Sequence, residues 1–332
     1  MEFPMEHLAT FAAVIDEGSF EGAARRLHVT PSAISQRVRA MEERVGTVLV
    51  QRSRPVAVTE AGAIVLRAAR QVARVAADMA IELGPGDADG SPALVPIVVN
   101  ADSLATWFTP ALARAARETG ATFEVLRADE TISTERLRSG SAMAALTATA
   151  EAVPGCTSTR VGVDRYWAVA SPGFVAQHFS DGVTARALAT APMLEFDRHD
   201  AFQRRFLRRV SRARIEPPRH YVPSSAEFAN AIELGMGWGM LPALQCAQGL
   251  AEETLIRLGE QPILMPLYWQ RWKLSSPVLD TLSRVITEEA ALALGRSDDS
   301  AGSPGPAGSA GAAGTAGRSS TAGSASSRSS RP

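Results

Sequence analysis

Cysteine is almost missing from this chain: Cys156 and Cys246 are the two in 332 residues, far apart and in no ligand-like spacing. Neither a disulfide framework nor a zinc site is therefore supported. Lysine is scarcer still, since Lys273 alone among 34 basic residues is not arginine. In an Ala- and Gly-heavy chain, codon usage in a GC-rich genome explains that bias better than phosphate recognition does. No apolar run reaches the roughly 18 residues that a membrane-spanning helix needs. The opening MEFPMEHLATF places acids where a secretory signal requires a basic start, so a cytoplasmic protein is expected. An excess of either charge is lacking too, with 34 basic and 35 acidic side chains for a net charge of −1. That balance has to be read segment by segment before it excludes any partner.

What is present is a 45% hydrophobic chain, long enough for two domains with separate cores. Ser297–Pro332 holds Ser, Gly, Ala, Pro and a few charges, a composition that cannot offset its own ordering entropy and predicts a disordered tail. A Gly/Pro/Asp cluster at Leu83–Pro92 marks a second boundary. Beyond it, apolar runs at Leu94–Asn100, Thr122–Arg127 and Ala142–Leu146 alternate with helical stretches at Leu104–Thr119 and Thr134–Ser139. Such alternation predicts parallel strands with right-handed crossovers.

Before the boundary, Leu8, Phe11, Ala12 and Ile15 share one helix face, and Gly18 ends that helix. Ser19 is an expected N-cap for Phe20–Leu27, and Thr30-Pro31 reads as a cap followed by proline at the first helical position. The helix that follows turns Ile34, Val38, Met41 and Val45 inward and Pro31, Ser32, Ser35, Gln36 and Arg39 outward. This helix–turn–helix spacing offers short polar side chains and arginines to a major groove. Leu49–Val58 reads as a wing whose Arg52 and Arg54 meet the sugar–phosphate backbone. Thr59 then caps a helix running to Leu83, with a stripe of Ile64, Leu66, Val72, Val75 and Met79 that lacks a nearby companion core and predicts pairing with a second copy. From Gly18 to Val75 ten arginines face four acids, a local +6 that the acidic remainder hides.

Gly18–Ala69 resembles the DNA-binding region of LysR-type transcriptional regulators, and the chain to about Leu294 fits that family's plan. The resemblance implies an α+β multidomain protein: a winged helix–turn–helix over 1–59, a linker and dimerisation helix with hinge over 60–92, and an effector-binding domain over 93–295. That domain is expected to have two periplasmic-binding-protein-like α/β lobes, about 93–164 with 268–295, and about 165–267. A tail, 296–332, completes the chain. Thr30, Ser32, Ser35, Gln36, Arg37 and Arg39 match the family's DNA-facing motif, with Pro31 standing where the family usually has glutamine. Val99–Leu112, Asp129–Gly140, Pro192–Asp197, Tyr221–Phe228 and Leu267–Trp272 are similar to the arginine/lysine-responsive (ArgP/LysG-like) branch, whose members control basic amino-acid export. Implied partners are double-stranded promoter DNA, lysine or arginine, further copies of the chain as dimer and tetramer, and RNA polymerase; no cofactor is implied.

In two-lobed domains the ligand sits at the carboxyl ends of strands and the starts of helices. The strand ending at Asn100 runs into Asp102-Ser103, where free N–H groups and a hydroxyl suit an α-carboxylate. Asp129, Glu130, Asp197 and Glu227 are the further expected effector contacts, acids for a cationic side chain; Ser103 and Glu130 lead by motif position. The five histidines show no ligand spacing, and His199 with Asp197 and Asp200 reads as a solvated polar loop. Gly235–Gly239 reads as a helix-to-strand turn rather than a phosphate loop. With no recognisable catalytic constellation, the chain is not expected to be an enzyme. A regulator of a different metabolite, or an effector-independent architectural DNA-binding protein, remain the alternatives.

Overall fold

The computed structural model describes residues 2–82, 94–127 and 130–295. The expected hinge cluster at Leu83–Pro92, Asp129, and the tail from Ser297 onward lie outside the described residues.

Three helices open the chain: α1 (Met5–Asp16), α2 (Phe20–Arg26) and α3 (Pro31–Val45). Their starts are fixed locally. The Ser19 hydroxyl accepts from the Gly22 amide, and the Thr30 hydroxyl from the Ala33 amide. Phe11, Val14, Ala23, Ile34, Val38 and Met41 form the shared core. Thr10 and Val14 are buried as well as Leu8 and Phe11, so α1 is enclosed on more than the single face its periodicity describes. Strands β1 (Val50–Gln51) and β2 (Ala57–Val58) make the wing.

Helix α4 (Glu60–Glu82) supplies what α1 packs against. Val65, Leu66 and Ala69 join the α1–α3 core, so a companion core does exist and Leu66 belongs to it. Ile64, Val72, Val75 and Met79 keep the outward stripe, each exposed. A 3.6-residue repeat over 23 residues has room for both faces. At Gly62 an added Cβ would lie 2.0 Å from the Leu49 carbonyl, which is why the start of α4 can press against the wing only at glycine.

The rest is two lobes sharing two long strands. Lobe I carries the parallel strands β3 (Leu94–Val99), β4 (Thr122–Arg127) and β5 (Ala144–Thr147). Helix α5 (Ala101–Ser103) continues through a π-helical turn, Leu104–Phe108, into α6 (Thr109–Thr119), and α7 (Glu130–Ser139) leads to β5. Strand β6 (Cys156–Ala170) then crosses to lobe II, which holds α8 (Pro172–His178), α9 (Ala185–Thr190), β7 (Met193–Glu195), α10 (Phe202–Val210), β8 (Arg219–Tyr221), α11 (Ser225–Glu233), β9 (Gly239–Pro242), α12 (Ala243–Ala251) and β10 (Ile256–Arg257). Strand β11 (Ile263–Trp272) returns to lobe I, closed by α13 (Pro277–Leu294).

Strands β3, β4 and β5 keep the parallel pairing expected from the strand–helix alternation; because the chain goes out along β6 and back along β11, these two pair antiparallel. Their pairing shifts register between Leu267 and Tyr268. The outer half of β6 pairs with β9 and β10, and β11 pairs with β5. One sheet thus runs through both lobes. Lobe I packs around Val95, Ile97, Phe108, Trp269 and Leu282; lobe II has its own cluster of Tyr166, Met193, Phe206, Trp238 and Met240. Gly235, with φ at +80°, ends α11 and turns the chain toward β9.

Candidate functional site

Two surfaces bring functional side chains together. The first is the outer face of α3 with the wing. Thr30, Pro31, Ser32, Ser35, Gln36 and Arg39 are all exposed there, and Arg39 forms a 3.0 Å ion pair with Glu43 one turn on. Ser35 shares a groove of about 350 Å³ with Phe20, Arg52 and Arg54, and the Arg52 guanidinium sits 5.8 Å from the Phe20 ring centroid. Arg37 points the other way: its guanidinium donates to Glu6 at 2.8 Å and to the Thr10 hydroxyl at 3.0 Å, fastening α3 to α1. Glu42 accepts from the Leu49 and Val50 amides and so holds the wing to the end of α3.

The second is a cavity of about 670 Å³ between the lobes, where β6 and β11 cross. Asp102 reaches it from the helix start after β3, Arg127 from the end of β4, and Thr147 from the end of β5. Tyr166 and Met265 form its floor on the crossing strands. Asp197, Asp200, Phe202 and Arg205 come from lobe II. The Tyr166 and Phe202 rings stack with centroids 4.1 Å apart and planes at 15°. A flat, apolar wall of this kind suits the methylene chain of a ligand.

Charge is arranged around that wall. Asp102 accepts from the Tyr166 hydroxyl at 2.8 Å and from the Ser225 hydroxyl, at the start of α11, at 2.7 Å. One carboxylate of lobe I is therefore tied both to a crossing strand and to lobe II. Burial pushes the Asp102 carboxyl up, while the two hydroxyls pull it back. Asp164, 2% exposed on β6, is raised to about 7, again by burial. Asp200 accepts from the Phe196 and Phe202 amides at 3.0 Å each, and Asp197 from the His199 and Asp200 amides at 2.7 and 3.1 Å. Asn100 lines the cavity, and its Oδ1 is buried with no hydrogen-bond partner among the described residues. The arrangement can hold a cation among carboxylates while Arg127 and Arg205 face a carboxylate.

Of the expected effector contacts, the cavity gathers Asp102 and Asp197. Ser103 is fully buried, its hydroxyl without a partner among the described residues, and it does not line the cavity. Glu227 is exposed on α11 and also lies off the lining. Glu130 begins α7, and Asp129 falls outside the described residues. Asp200 and His199, taken from sequence as a solvated loop, are part of the cavity wall. Tyr166, Phe202, Asp164 and Arg205 carried no local signal, since each sits in an ordinary strand or helix pattern. Among the described residues no group of three or more His, Cys, Asp or Glu could hold a metal ion.

Two family descriptions match. Residues 5–63 match the bacterial regulatory helix-turn-helix protein, lysR family, and residues 94–291 match the LysR substrate binding domain. The HTH-type transcriptional regulator LysG of Mycobacterium tuberculosis is 41% identical over 298 residues, covering 90% of this chain and 97% of that protein. The lysine export transcriptional regulatory protein LysG of Corynebacterium glutamicum is 39% identical over 290 residues, covering 85% and 96%. The solved structure of full-length LysG from Corynebacterium glutamicum with bound effector Arg superposes with a TM-score of 0.76 at 37% identity, covering 88% of this chain and 99% of that one. The chain belongs to the LysR family of transcriptional regulators, of the LysG/ArgP type.

Proposed function

We propose that this regulator binds promoter DNA through α3 and the wing, senses lysine or arginine in the interlobe cavity, and controls a gene for amino-acid export. The observation that carries the effector reading is the convergence of Asp102, Asp197 and Asp200 beside the Tyr166–Phe202 stack. A long aliphatic chain lies against the stacked rings and the carboxylates take its cationic end. Arg127 or Arg205 receives the α-carboxylate. The relative with bound Arg and the relative named for lysine export support the same direction. Ser32, Ser35 and Gln36 read base edges, and Arg39, Arg52 and Arg54 contact phosphates. The exposed stripe of α4 pairs two copies, and pairs assemble further into a tetramer.

Regulation needs a ligand that binds two arrangements of the lobes unequally. A ligand bridging Asp102 of lobe I and Asp200 of lobe II favours the closed one. Thermal-shift screening of the full-length protein against the twenty amino acids tests this, because a native-state ligand raises the melting temperature by mass action. Lysine or arginine should raise it; no response to either defeats the effector reading. A second reading rests on Arg127, Arg205 and His199 at the same wall, which would suit a dicarboxylate. Including succinate and glutarate in the screen separates the two.

A further inference from the structure

The crossing strands hold a carboxyl that the proposed ligand contacts do not use. Asp164 lies on β6 two residues before Tyr166, so both side chains project from the same face of the strand. Its cross-strand neighbour on β11 is Met265, part of the cavity lining. One oxygen of Asp164 accepts from the Arg165 amide at 2.8 Å; the other, Oδ2, is buried with no hydrogen-bond partner among the described residues. The charged and titratable groups that face it are Asp102 from α5, Tyr166 and Arg165 from β6, and Cys246 from α12, with Asp200 beyond Asp102. The Arg165 guanidinium donates to the Leu294 carbonyl at 3.2 Å, and its charge offsets only part of the burial of Asp164.

We propose that Asp164 is a proton-linked selectivity group of the effector cleft: it holds a proton while the cleft is empty and ionises as a cationic ligand side chain enters. The inference rests on the reading of the cavity as a site for a basic amino acid. An ionised carboxylate at this depth, with one oxygen unpaired and Asp102 beside it, is unfavourable unless more counter-charge than Arg165 supplies is brought near. A neutral carboxylic acid there costs less, and burial indeed raises the group to about 7. A ligand cation in the adjoining cavity supplies the missing charge through a medium of low dielectric constant, and the proton leaves to solvent. A neutral side chain of similar length cannot release it. Asp164 thereby lets the cleft distinguish lysine from an isosteric uncharged amino acid without touching either.

Isothermal titration calorimetry of lysine into the full-length protein at pH 7, in phosphate, Hepes and Tris buffers of differing ionisation enthalpy, reads the protons released. The wild type should release a substantial fraction of one proton per lysine. Its affinity should rise by up to tenfold per pH unit below about pH 7 and level off above. Asp164→Asn should release none and lose that pH dependence. Release that persists in Asp164→Asn but vanishes in Asp102→Asn would move the proton to Asp102 and overturn the assignment. Lysine binding with no buffer dependence of the heat would overturn the linkage while leaving the effector reading intact. No binding of lysine or arginine at all would overturn both.

Discussion

The Asp102 carboxylate and the Ser225 hydroxyl, 2.7 Å apart, join the two lobes across the cleft. The Gln245 amide donates to the Ser225 carbonyl at 2.7 Å, so the lobe II end of this bridge is itself held. A hydrogen bond to a charged acceptor contributes about 1.5–3 kcal/mol. Ser225→Ala should favour the open arrangement and weaken lysine binding by about tenfold or more, because only the closed population binds well. Calorimetry measures it; unchanged affinity would mean that the bridge does not govern closure.

Arg37 and Gln36 are neighbours with different tasks. Ser35→Ala with Gln36→Ala removes exposed side chains from the outer face of α3, so specific operator binding should fall while the melting temperature stays within a degree or two. Arg37→Ala instead breaks the contacts to Glu6 and Thr10 and should lower the melting temperature first. Differential scanning fluorimetry beside gel-shift titration separates the two effects.

Helix α4 divides its apolar residues between two jobs. Leu66 is 1% exposed under α1, and Leu66→Ala should cost about 2–5 kcal/mol of stability. Met79 is 58% exposed and Val75 47%; Val75→Glu with Met79→Glu should leave each folded copy intact but abolish self-association. Sedimentation velocity reads the second outcome directly.

The stability of the empty protein should depend on pH with a known sign. Asp164 and Asp102 are both raised by burial, so the folded state binds more protons than the unfolded chain. Stability contributed by the Asp164 proton is present below about pH 4 and declines as pH rises toward about 7, and Asp102 adds to it with the same sign. Asp164→Asn cannot ionise and should flatten this decline, melting above the wild type at pH 8. A wild type that melts at one temperature from pH 5 to 8 would contradict it.

Gln270, fully buried on β11, donates to Thr147 Oγ1 and to the Thr149 and Glu151 carbonyls, and accepts from the Val153 amide at 2.9 Å. It folds the loop after β5 against the sheet and so places Thr147 and Ala148 on the cavity wall. Gln270→Leu keeps the volume and leaves the Glu151 carbonyl and the Val153 amide without their Gln270 partner, and should destabilise by about 1–3 kcal/mol or more in chemical denaturation.

The sequence alone was enough for whatever depends on residues within a few turns of one another. The caps at Ser19 and Thr30, the inward face of α3, the outward Ser32, Ser35 and Gln36, and the +6 segment behind a net −1 are local patterns, because helix periodicity and charge density are local properties. The split role of α4 was half legible: its stripe showed, but which neighbour covers Leu66 depends on how α1 docks. The cleft was legible only in part: Asp102 and Asp197 stood out as candidates, but not what surrounds them. Asp102, Tyr166, Asp200 and Ser225 come from four separate segments and meet only because β6 and β11 cross between the lobes. A carboxylate's surroundings, and hence its charge, are set by which distant atoms exclude water from it; that was decided by the tertiary structure, not by the order of residues around it.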